Sequence, residues 1–224
     1  MQTGGAPRGR KYLAIIGDIR GSRGIPEPKR SELQKRLERG LQRVNELFAE
    51  ELASSFVVTL GDEFQGLLVG PGRALAVVVA LEGELAGIPV RYGLGWGAVT
   101  TELRDPALGM DGPCFHRARD AVLEGKRADR WVTARGFGED DTVLDGVLWL
   151  IGAVRSRWTV IQRETVEQVR AAETQRDVAA ARGVSPSTVS EALRAALHES
   201  VLAAEKSATA LLERHDPRHA EVRP

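Results

Sequence analysis

The chain has 224 residues, of which 42% are hydrophobic and 28% are charged, and its 31 basic residues equal its 31 acidic residues. This length accommodates one sizeable core and a smaller second unit, and the balanced charge disfavours avid non-specific binding to DNA. A single cysteine, Cys114, excludes an intramolecular disulfide, and no apolar run approaches the roughly 20 residues of a membrane span. We therefore expect a cytoplasmic protein that does not contact a membrane.

The first half of the chain alternates strand and helix patterns. Residues 1–11 carry glycine, arginine and proline and are expected to be disordered, and the apolar run at 12–19 predicts a buried strand. Apolar residues at steps of three and four predict an amphipathic helix from Ser31, as the N-cap, to Leu52. Residues 56–70 predict two short strands joined by a tight Gly-Asp-Glu turn.

The pattern continues to about residue 138. Pro71 is expected to open a second helix whose inner face carries Leu75, Val78, Val79 and Leu85. Residues 90–99 alternate apolar residues with glycines, which predicts a central strand. The glycines indicate close approach of backbone or of a ligand, or simply tight packing. A helix from Gly112–Pro113 to about Glu124 and a strand at 130–135 complete an α/β sandwich with helices on a mixed sheet.

Strand signals end near the acidic patch that follows Gly138. We therefore predict an α/β domain over 12–138, an all-α domain over 139–214 and a tail at 215–224. The apolar stripe of the last helix needs a partner, which is either its own module or a second copy of the chain; its residues are Leu197, Val201, Leu202, Ala208, Leu211 and Leu212.

Residues 175–194 have the spacing of a helix-turn-helix unit. Ala179 is the small residue where two helices cross, and Gly183 lies at the turn, where a positive φ is common. Ser185 and Pro186 suit the N-cap and first position of the second helix. The expected core consists of Val178, Val184, Val189 and Leu193.

In this register, polar side chains lie on the outer face of the second helix: Ser187, Thr188, Ser190, Glu191 and Arg194. Hydroxyl groups and arginine contact phosphates and base edges of DNA. The unit resembles the region-4-like helix-turn-helix of sigma factors, which implies DNA binding, and a homodimer would suit paired half-sites. The alternative is a helical pair used only for packing or dimerisation.

Acidic residues and glycines recur at the predicted strand ends. Asp18 follows the first strand, and Asp62 lies in the hairpin turn beside Glu63. Such carboxylates hold Mg²⁺, which in turn holds a triphosphate, and Gly17, Gly21 and Gly61 would let backbone amides approach phosphate oxygens. Because Asp and Gly are also common turn residues, the spacing alone also fits ordinary turns.

Four segments resemble the landmarks of the class III nucleotidyl cyclase and GGDEF superfamily, and residues 12–125 more closely resemble the SatD family. The segments are IIGDIRGS (15–22), TLGDEFQGLL (59–68), VRYGLGWGAV (90–99) and DGPCFHRARDAV (111–122). The resemblance implies a nucleotidyl-cyclase-like (ferredoxin-like) sandwich with Asp18 and Asp62 as metal ligands. Together with the glycines above, the nucleotide-binding candidates are Gly17, Gly21, Gly61, Glu63 and Arg117.

The resemblance also places two residues at the positions that present an Asn and an Arg to the cyclase transition state. Here these residues are His116 and Asp120. Because cyclisation needs a cation near the developing phosphate charge, this departure argues against ordinary cyclase activity. His116 and Arg119 remain the catalytic candidates, the latter after a one-residue shift.

Two functions follow from these features. The first is a DNA-binding transcription regulator whose cyclase-like domain senses a nucleotide, with or without Mg²⁺. The alternative is a metal-dependent nucleotidyl cyclase or nucleotide-converting enzyme whose helices serve assembly. A purely structural adaptor would bind neither nucleotide nor DNA.

Overall fold

A computed structural model describes residues 9–22, 26–59, 61–85, 87–172 and 174–220. Residues 1–11 are predicted to be disordered. Of these, residues 1–8 lie outside the described part of the chain. The end of the predicted tail, beyond Ala220, also lies outside it.

The described residues form one five-stranded sheet. Its strands are β1 (Lys11–Ile19), β2 (Leu52–Val58), β3 (Glu63–Leu68), β4 (Val90–Ala98) and β5 (Val132–Arg135), in the spatial order β2-β3-β1-β4-β5. Adjacent strands are antiparallel except for β4 and β5, which are parallel. The predicted mixed α/β sheet is therefore confirmed.

The helices precede, separate and follow the strands. Those of the first part are α1 (Glu27–Leu47), α2 (Ala74–Glu84) and α3 (Pro113–Arg127). Those of the second part are α4 (Asp140–Arg155), α5 (Val160–Ala171), α6 (Gln175–Arg182), α7 (Pro186–Ala195), α8 (His198–Glu213) and α9 (Pro217–Ala220).

Two predicted helix starts are wrong. Helix α1 begins at Glu27, after Pro26, so Ser31 lies inside the helix and is not its N-cap. Proline favours a helical first turn because its φ is already suitable there. Helix α2 begins at Ala74, whereas Pro71 lies in the preceding turn and accepts a hydrogen bond from the Ala74 backbone.

The predicted extent of the first helix is also wrong. Helix α1 ends at Leu47, a short 3₁₀ turn follows at Ala49–Glu51, and Leu52 begins β2. Leu52 fits the helical spacing of apolar residues but belongs to β2. A single apolar residue at the boundary fits both the helix pattern and the strand pattern. Val79, predicted on the inner face of α2, is only half-buried, whereas Val77 is fully buried.

The two faces of the sheet are covered differently. Leu13 and Ile15 on β1 face the larger apolar cluster, which includes residues of α1, α2, α4 and α8. Ala14 and Ile16 face a smaller cluster built with α3 and the segment before it. We call this second side the α3 face. Alternation along β1 places Asp18 on the α3 face as well.

The glycines of β4 serve close packing. A Cβ added to Gly93 would lie 2.1 Å from the carbonyl oxygen of Ala118, and one added to Gly95 would lie 2.0 Å from that of Cys114. Helix α3 therefore crosses the strand at backbone contact distance, which decides between the alternatives left open by the sequence. Cys114 is fully buried in this contact, and burial raises the pKa of its thiol to about 12.

Helices α5, α6 and α7 pack against one another. Val178, Ala179, Val189 and Leu193 are buried as predicted. Val184 is 39% exposed, so its assignment to the core is wrong; it follows the turn glycine and lies outside both helices.

Helix α8 packs against α4 and α2 within the same chain. Its buried residues include Val201, Ala208 and Leu212, whereas Leu197 just before it is 53% exposed. Most of the predicted apolar stripe is thus covered by the chain itself. One buried cluster contains residues from the sheet and from α4 to α8, and the division of the chain near residues 138–141 stays a prediction.

Across the described ranges, no helix has both the length and the apolar character needed to cross a membrane.

Candidate functional site

Three charged residues lie side by side where the central strands end. Asp18 on β1 is directly opposite Glu63 on β3 and directly opposite Arg91 on β4. Because directly opposed residues of antiparallel strands point to the same face, all three side chains project onto the α3 face. The guanidinium of Arg91 donates from Nη1 to Asp18 Oδ2 at 3.2 Å.

Helix α3 adds two cations to this row. Lys126 Nζ lies 3.8 Å from Asp18 Oδ2, and Arg119 donates to both carboxylate oxygens of Glu63, at 3.1 and 3.4 Å. The side chains of Arg119 and Lys126 are each 53% exposed, whereas those of Asp18 and Glu63 are 14% and 19% exposed. We call Asp18, Glu63, Arg91, Arg119 and Lys126 the Asp18 cluster.

Arg91 is the most buried member of the cluster. Burial, and next the charge of Arg20, lowers the pKa of Arg91, while the adjacent Asp18 and Asp129 carboxylates raise it. Gly125 on α3 makes room for this side chain, because a Cβ there would lie 3.2 Å from Arg91 Cδ. Arg91 therefore fixes the position of Asp18 from beneath, and the two cations of α3 remain accessible at the surface.

Asp62 is oriented differently from Glu63. Its carboxylate accepts a hydrogen bond from the hydroxyl of the buried Ser22, and its backbone carbonyl accepts one from the Ile19 amide at 3.1 Å. The structure thus places Glu63, rather than Asp62, directly opposite Asp18. Gly21 and Gly61 border this region with φ values of 73° and 62° and open space where a Cβ would be.

The donor set fits Mg²⁺ only in part. Within the described ranges, no group of three or more His, Cys, Asp or Glu side chains could hold a metal ion. Asp18 and Glu63 supply the hard oxygen ligands that Mg²⁺ prefers, and Mg²⁺ is commonly bound by one or two carboxylates together with substrate phosphates. Both acids already have cationic partners, so the cluster suits a phosphate-bound Mg²⁺ better than a free ion.

Three other predicted residues lie elsewhere. Gly17 is on the opposite face from Asp18, where a Cβ would lie 2.1 Å from the Phe64 ring. Arg117 donates to the carbonyl oxygen of Trp96 at 2.6 Å, near the Lys11 end of the sheet. His116 is exposed and its Nε2 lies 2.6 Å from Asp111 Oδ1.

Of the two catalytic candidates, the structure brings only Arg119 to the cluster. Arg119 and Lys126 are seven residues apart on α3, two helical turns, so they lie on one face of the helix. The seven-residue spacing from Arg119 is the sequence signal that could have indicated Lys126. The signal for Arg91 is that it is the lone arginine of an apolar strand.

The outer face of α7 forms a second candidate site. Gly183 has a left-handed φ of 64°, and the Ser185 side chain caps α7 by accepting from the Thr188 amide. The predicted DNA contacts are all exposed: Ser187, Thr188, Ser190, Glu191 and Arg194. Ser187 and Thr188 hydroxyls lie 2.7 and 2.9 Å from that of Ser185.

Several solved structures match about half of this chain. A bacterial light-regulated adenylyl cyclase matches with 14% identity and a TM-score of 0.44, covering 55% of this chain and 74% of that one. The guanylyl cyclase Cya2 matches with 17% identity and a TM-score of 0.38, covering 54% and 73% respectively. At such identities and TM-scores these neighbours add no residue assignments to this chain.

No curated protein matches the sequence significantly. The family comparison is more informative, because the match extends over residues 12–212 and so includes both the sheet and the helices that follow it. The chain belongs to the SatD family.

Proposed function

We propose that this chain binds a nucleoside triphosphate together with Mg²⁺ at the Asp18 cluster. The observation that carries the proposal is the register of Asp18 opposite Glu63, with Arg119 and Lys126 half-exposed above them. Carboxylates suit a phosphate-bound Mg²⁺, and cations that face solvent suit phosphate oxygens.

Ligand binding at the Asp18 cluster would replace existing ion pairs between side chains by new ion pairs with the ligand. Arg119 and Lys126 would pair with the phosphates instead of with Glu63 and Asp18. The two carboxylates would then coordinate the metal ion. Each charged side chain would have an oppositely charged partner both before and after binding, so that no half-buried ion is left unpaired. Gly21 and Gly61 leave open space beside the site for the polyphosphate chain.

The same arrangement supports conversion of the bound nucleotide. Phosphoryl chemistry requires positive groups near the oxygens that gain charge in the transition state. Arg119 is the group of this chain best placed for that role, because it reaches Glu63 from the exposed side of α3. Mg²⁺, when bound with the nucleotide, would neutralise the phosphates.

Thermal unfolding with each nucleoside triphosphate, with and without Mg²⁺, tests the binding proposal. A ligand at about 100 times its dissociation constant stabilises the fold by roughly 2.7 kcal/mol, which raises the melting temperature measurably. We expect a shift with nucleotide and Mg²⁺ together and a much smaller one with Mg²⁺ alone. Chromatography of the same mixtures shows whether the nucleotide is converted.

Substitutions in the cluster sharpen this test. Asp18→Asn and Glu63→Gln should each abolish the Mg²⁺-dependent part of the shift. Asp120→Asn is the matched control, because Asp120 is an exposed acid on the same helix as Arg119 but lies by the Lys11 end of the sheet. A full shift in Asp18→Asn would show that the cluster is structural.

A second candidate function is DNA recognition by the outer face of α7. Its support is the local geometry: a left-handed turn glycine, a serine N-cap and Pro186 at the start of a helix whose inner residues are buried. Arg194 and the hydroxyl groups of α7 are the side chains that would contact phosphates or base edges. In this candidate function, the nucleotide site would control the DNA-binding helices.

Selection from random DNA duplexes, followed by fluorescence anisotropy, tests this candidate. The double variant Thr188→Ala/Arg194→Ala should lose specific binding at least tenfold. Arg127→Ala, which removes an exposed arginine at the end of α3, should bind as the unmodified chain does. If no duplex is enriched, α6 and α7 serve packing alone.

A further inference from the structure

A cavity of about 500 Å³ lies between the loops that precede β4 and β5 and the helices α4 and α5. Its walls come from the loops before β4 and β5, from α2, and from the facing sides of α4 and α5. No member of the Asp18 cluster lines it. Its volume is within the range of pockets that bind small molecules, about 300–1,000 Å³.

An exposed tryptophan forms part of the wall. Trp149 on α4 is 54% exposed, whereas Trp96, Trp131 and Trp158 are each at most 9% exposed. The guanidinium of Arg130 lies 5.4 Å from the centroid of the Trp149 ring. An indole held in this way and open to solvent offers a flat apolar surface on which another ring can stack.

Glu167 on α5 is the unpaired acid of the same cavity. It is half-buried, and no described residue gives its carboxylate a hydrogen bond or an ion pair. Glu82, which also lines the cavity, differs because one oxygen accepts from Trp131 Nε1 at 2.7 Å and the other from Arg155. Burial raises the pKa of Glu167 against the opposing charge of Arg163. The carboxylate oxygens of Glu167 can therefore accept hydrogen bonds from N–H donors of a ligand.

Three arginines line the cavity, and Arg155 is already paired with Glu82 and Glu205. Arg20 donates to Asp129 at 2.8 Å and to the Arg130 carbonyl at 2.9 Å, and Arg163 donates to the Arg155 carbonyl at 3.3 Å. A guanidinium has five N–H donors, so each of these side chains retains donors for an additional acceptor. An anionic group on the ligand would find partners here.

From these three features we propose that the cavity binds a planar aromatic ligand with adjacent N–H donors on one edge and an anionic group at its other end. A guanine nucleoside monophosphate has this chemistry. Its ring would stack on Trp149, its N–H edge would donate to Glu167, and its phosphate would accept from Arg20. This site is separate from the Asp18 cluster and does not depend on the function proposed there.

Titration of the full chain with guanosine 5′-monophosphate in EDTA tests the inference. Without a divalent ion or a triphosphate, the Asp18 cluster should not contribute. We expect saturable quenching of tryptophan fluorescence and the same dissociation constant by calorimetry. Adenosine 5′-monophosphate should bind at least tenfold more weakly, because the corresponding edge of adenine has one donor group beside an acceptor.

Variants assign the binding to the cavity. Glu167→Gln and Trp149→Ala should each weaken the calorimetric affinity at least tenfold, whereas Trp149→Phe, which keeps a ring, should lose less. Glu164→Gln on the exposed side of α5 and Leu150→Ala beside the tryptophan are matched controls that should bind normally. Asp18→Asn should also bind normally.

Two results would overturn the proposal. One is the absence of saturable binding at millimolar nucleotide in a chain that melts cooperatively. The other is binding that Glu167→Gln and Trp149→Ala leave unchanged, which would place the nucleotide elsewhere on the molecule.

Discussion

The contact between β4 and α3 and the pair α6–α7 are stabilised in opposite ways. In the first, strand and helix backbones meet so closely that a methyl group on Gly95 would lie 2.0 Å from the Cys114 carbonyl. In the second, the helix ends are fixed by neighbours in sequence. Gly183 ends α6 in a left-handed conformation, and Ser185 and Thr174 cap the two helices with their side chains.

This difference determines how each region responds to substitution. A backbone contact between distant segments has no room to adjust, because protein interiors are packed as densely as organic crystals. A cap contributes about 1 kcal/mol and can be replaced by water when it is lost. The sheet region should therefore be sensitive to single added atoms, and the helical pair should tolerate them.

The largest effect is expected for Gly95→Ala. The added methyl group must displace α3 from the sheet, which should lower the free energy of unfolding by about 3 kcal/mol. Urea denaturation measures the loss. Gly83→Ala is the matched control, because a Cβ at this position in α2 has nothing within 4 Å, and alanine is the better helix former. Equal losses in both variants would contradict the packing explanation.

Arg155→Met should have the next largest effect, because Arg155 joins α4 to α2 and α8, outside both of these regions. It pairs with Glu82 on α2 and with Glu205 on α8, and its guanidinium lies 4.4 Å from the centroid of Trp131. Removing one partner of a buried ion pair costs roughly 3 kcal/mol, because the other charge stays buried.

The matched control for this substitution is Arg43→Met. The pair Arg43–Glu84 has side chains 71% and 33% exposed, and exposed pairs contribute less than about 1 kcal/mol. Both variants are compared by urea denaturation. If Arg155→Met is no more destabilising than Arg43→Met, the ion-pair network does not stabilise the packing of α4 on α2 and α8.

Smaller effects are expected in the helical pair. Gly183→Ala forces a side chain into a left-handed conformation, which costs about 1 kcal/mol, and Ser185→Ala removes the cap of α7 at a similar cost. Hydrogen exchange should show faster opening of the first turn of α7 and no change in β4. Faster exchange in β4 would mean that the two regions unfold as one unit.

The smallest effect concerns pH. His198, at the start of α8, is buried, and burial together with the charge of Arg170 lowers its pKa in the folded chain, while Glu205 and Glu199 oppose this. Because the unfolded chain binds the proton more readily, stability should fall as the pH decreases below about 6.5.

The difference between the unmodified chain and His198→Gln, measured by urea denaturation at pH 7.5 and 5.5, isolates this contribution. It should be no more than about 1.4 kcal/mol per pH unit. A His198→Gln curve parallel to that of the unmodified chain would show that this histidine does not contribute.

Local signals predicted much of the structure. The strands were placed to within a few residues, and the ends of α6 and α7 were predicted from Gly183, Ser185 and Pro186, because caps depend only on nearby residues. The same approach failed at Ser31 and Pro71. At both places, more than one residue has the chemistry of a helix start, and local sequence does not distinguish between them.

The candidate site was less accessible to this reasoning. The spacing of acids indicated Asp18 and Asp62, but strand register places Glu63 opposite Asp18, and a shift of one residue moves a side chain to the other face. Arg91 and Lys126 were not predicted as members, since their partners lie 73 and 108 positions away in sequence.

The sequence by itself determined the alternation of strands and helices, the cap chemistry of α6 and α7 and the presence of acids at the strand ends, because each depends on residues a few positions apart. Only the tertiary structure decided which charges neutralise one another, which glycines allow close approach of a helix, and that Glu167 lines the same cavity as Trp149 without an ion-pair partner. Those outcomes depend on distances between segments far apart in the chain, and such distances are set by the packing of the whole fold.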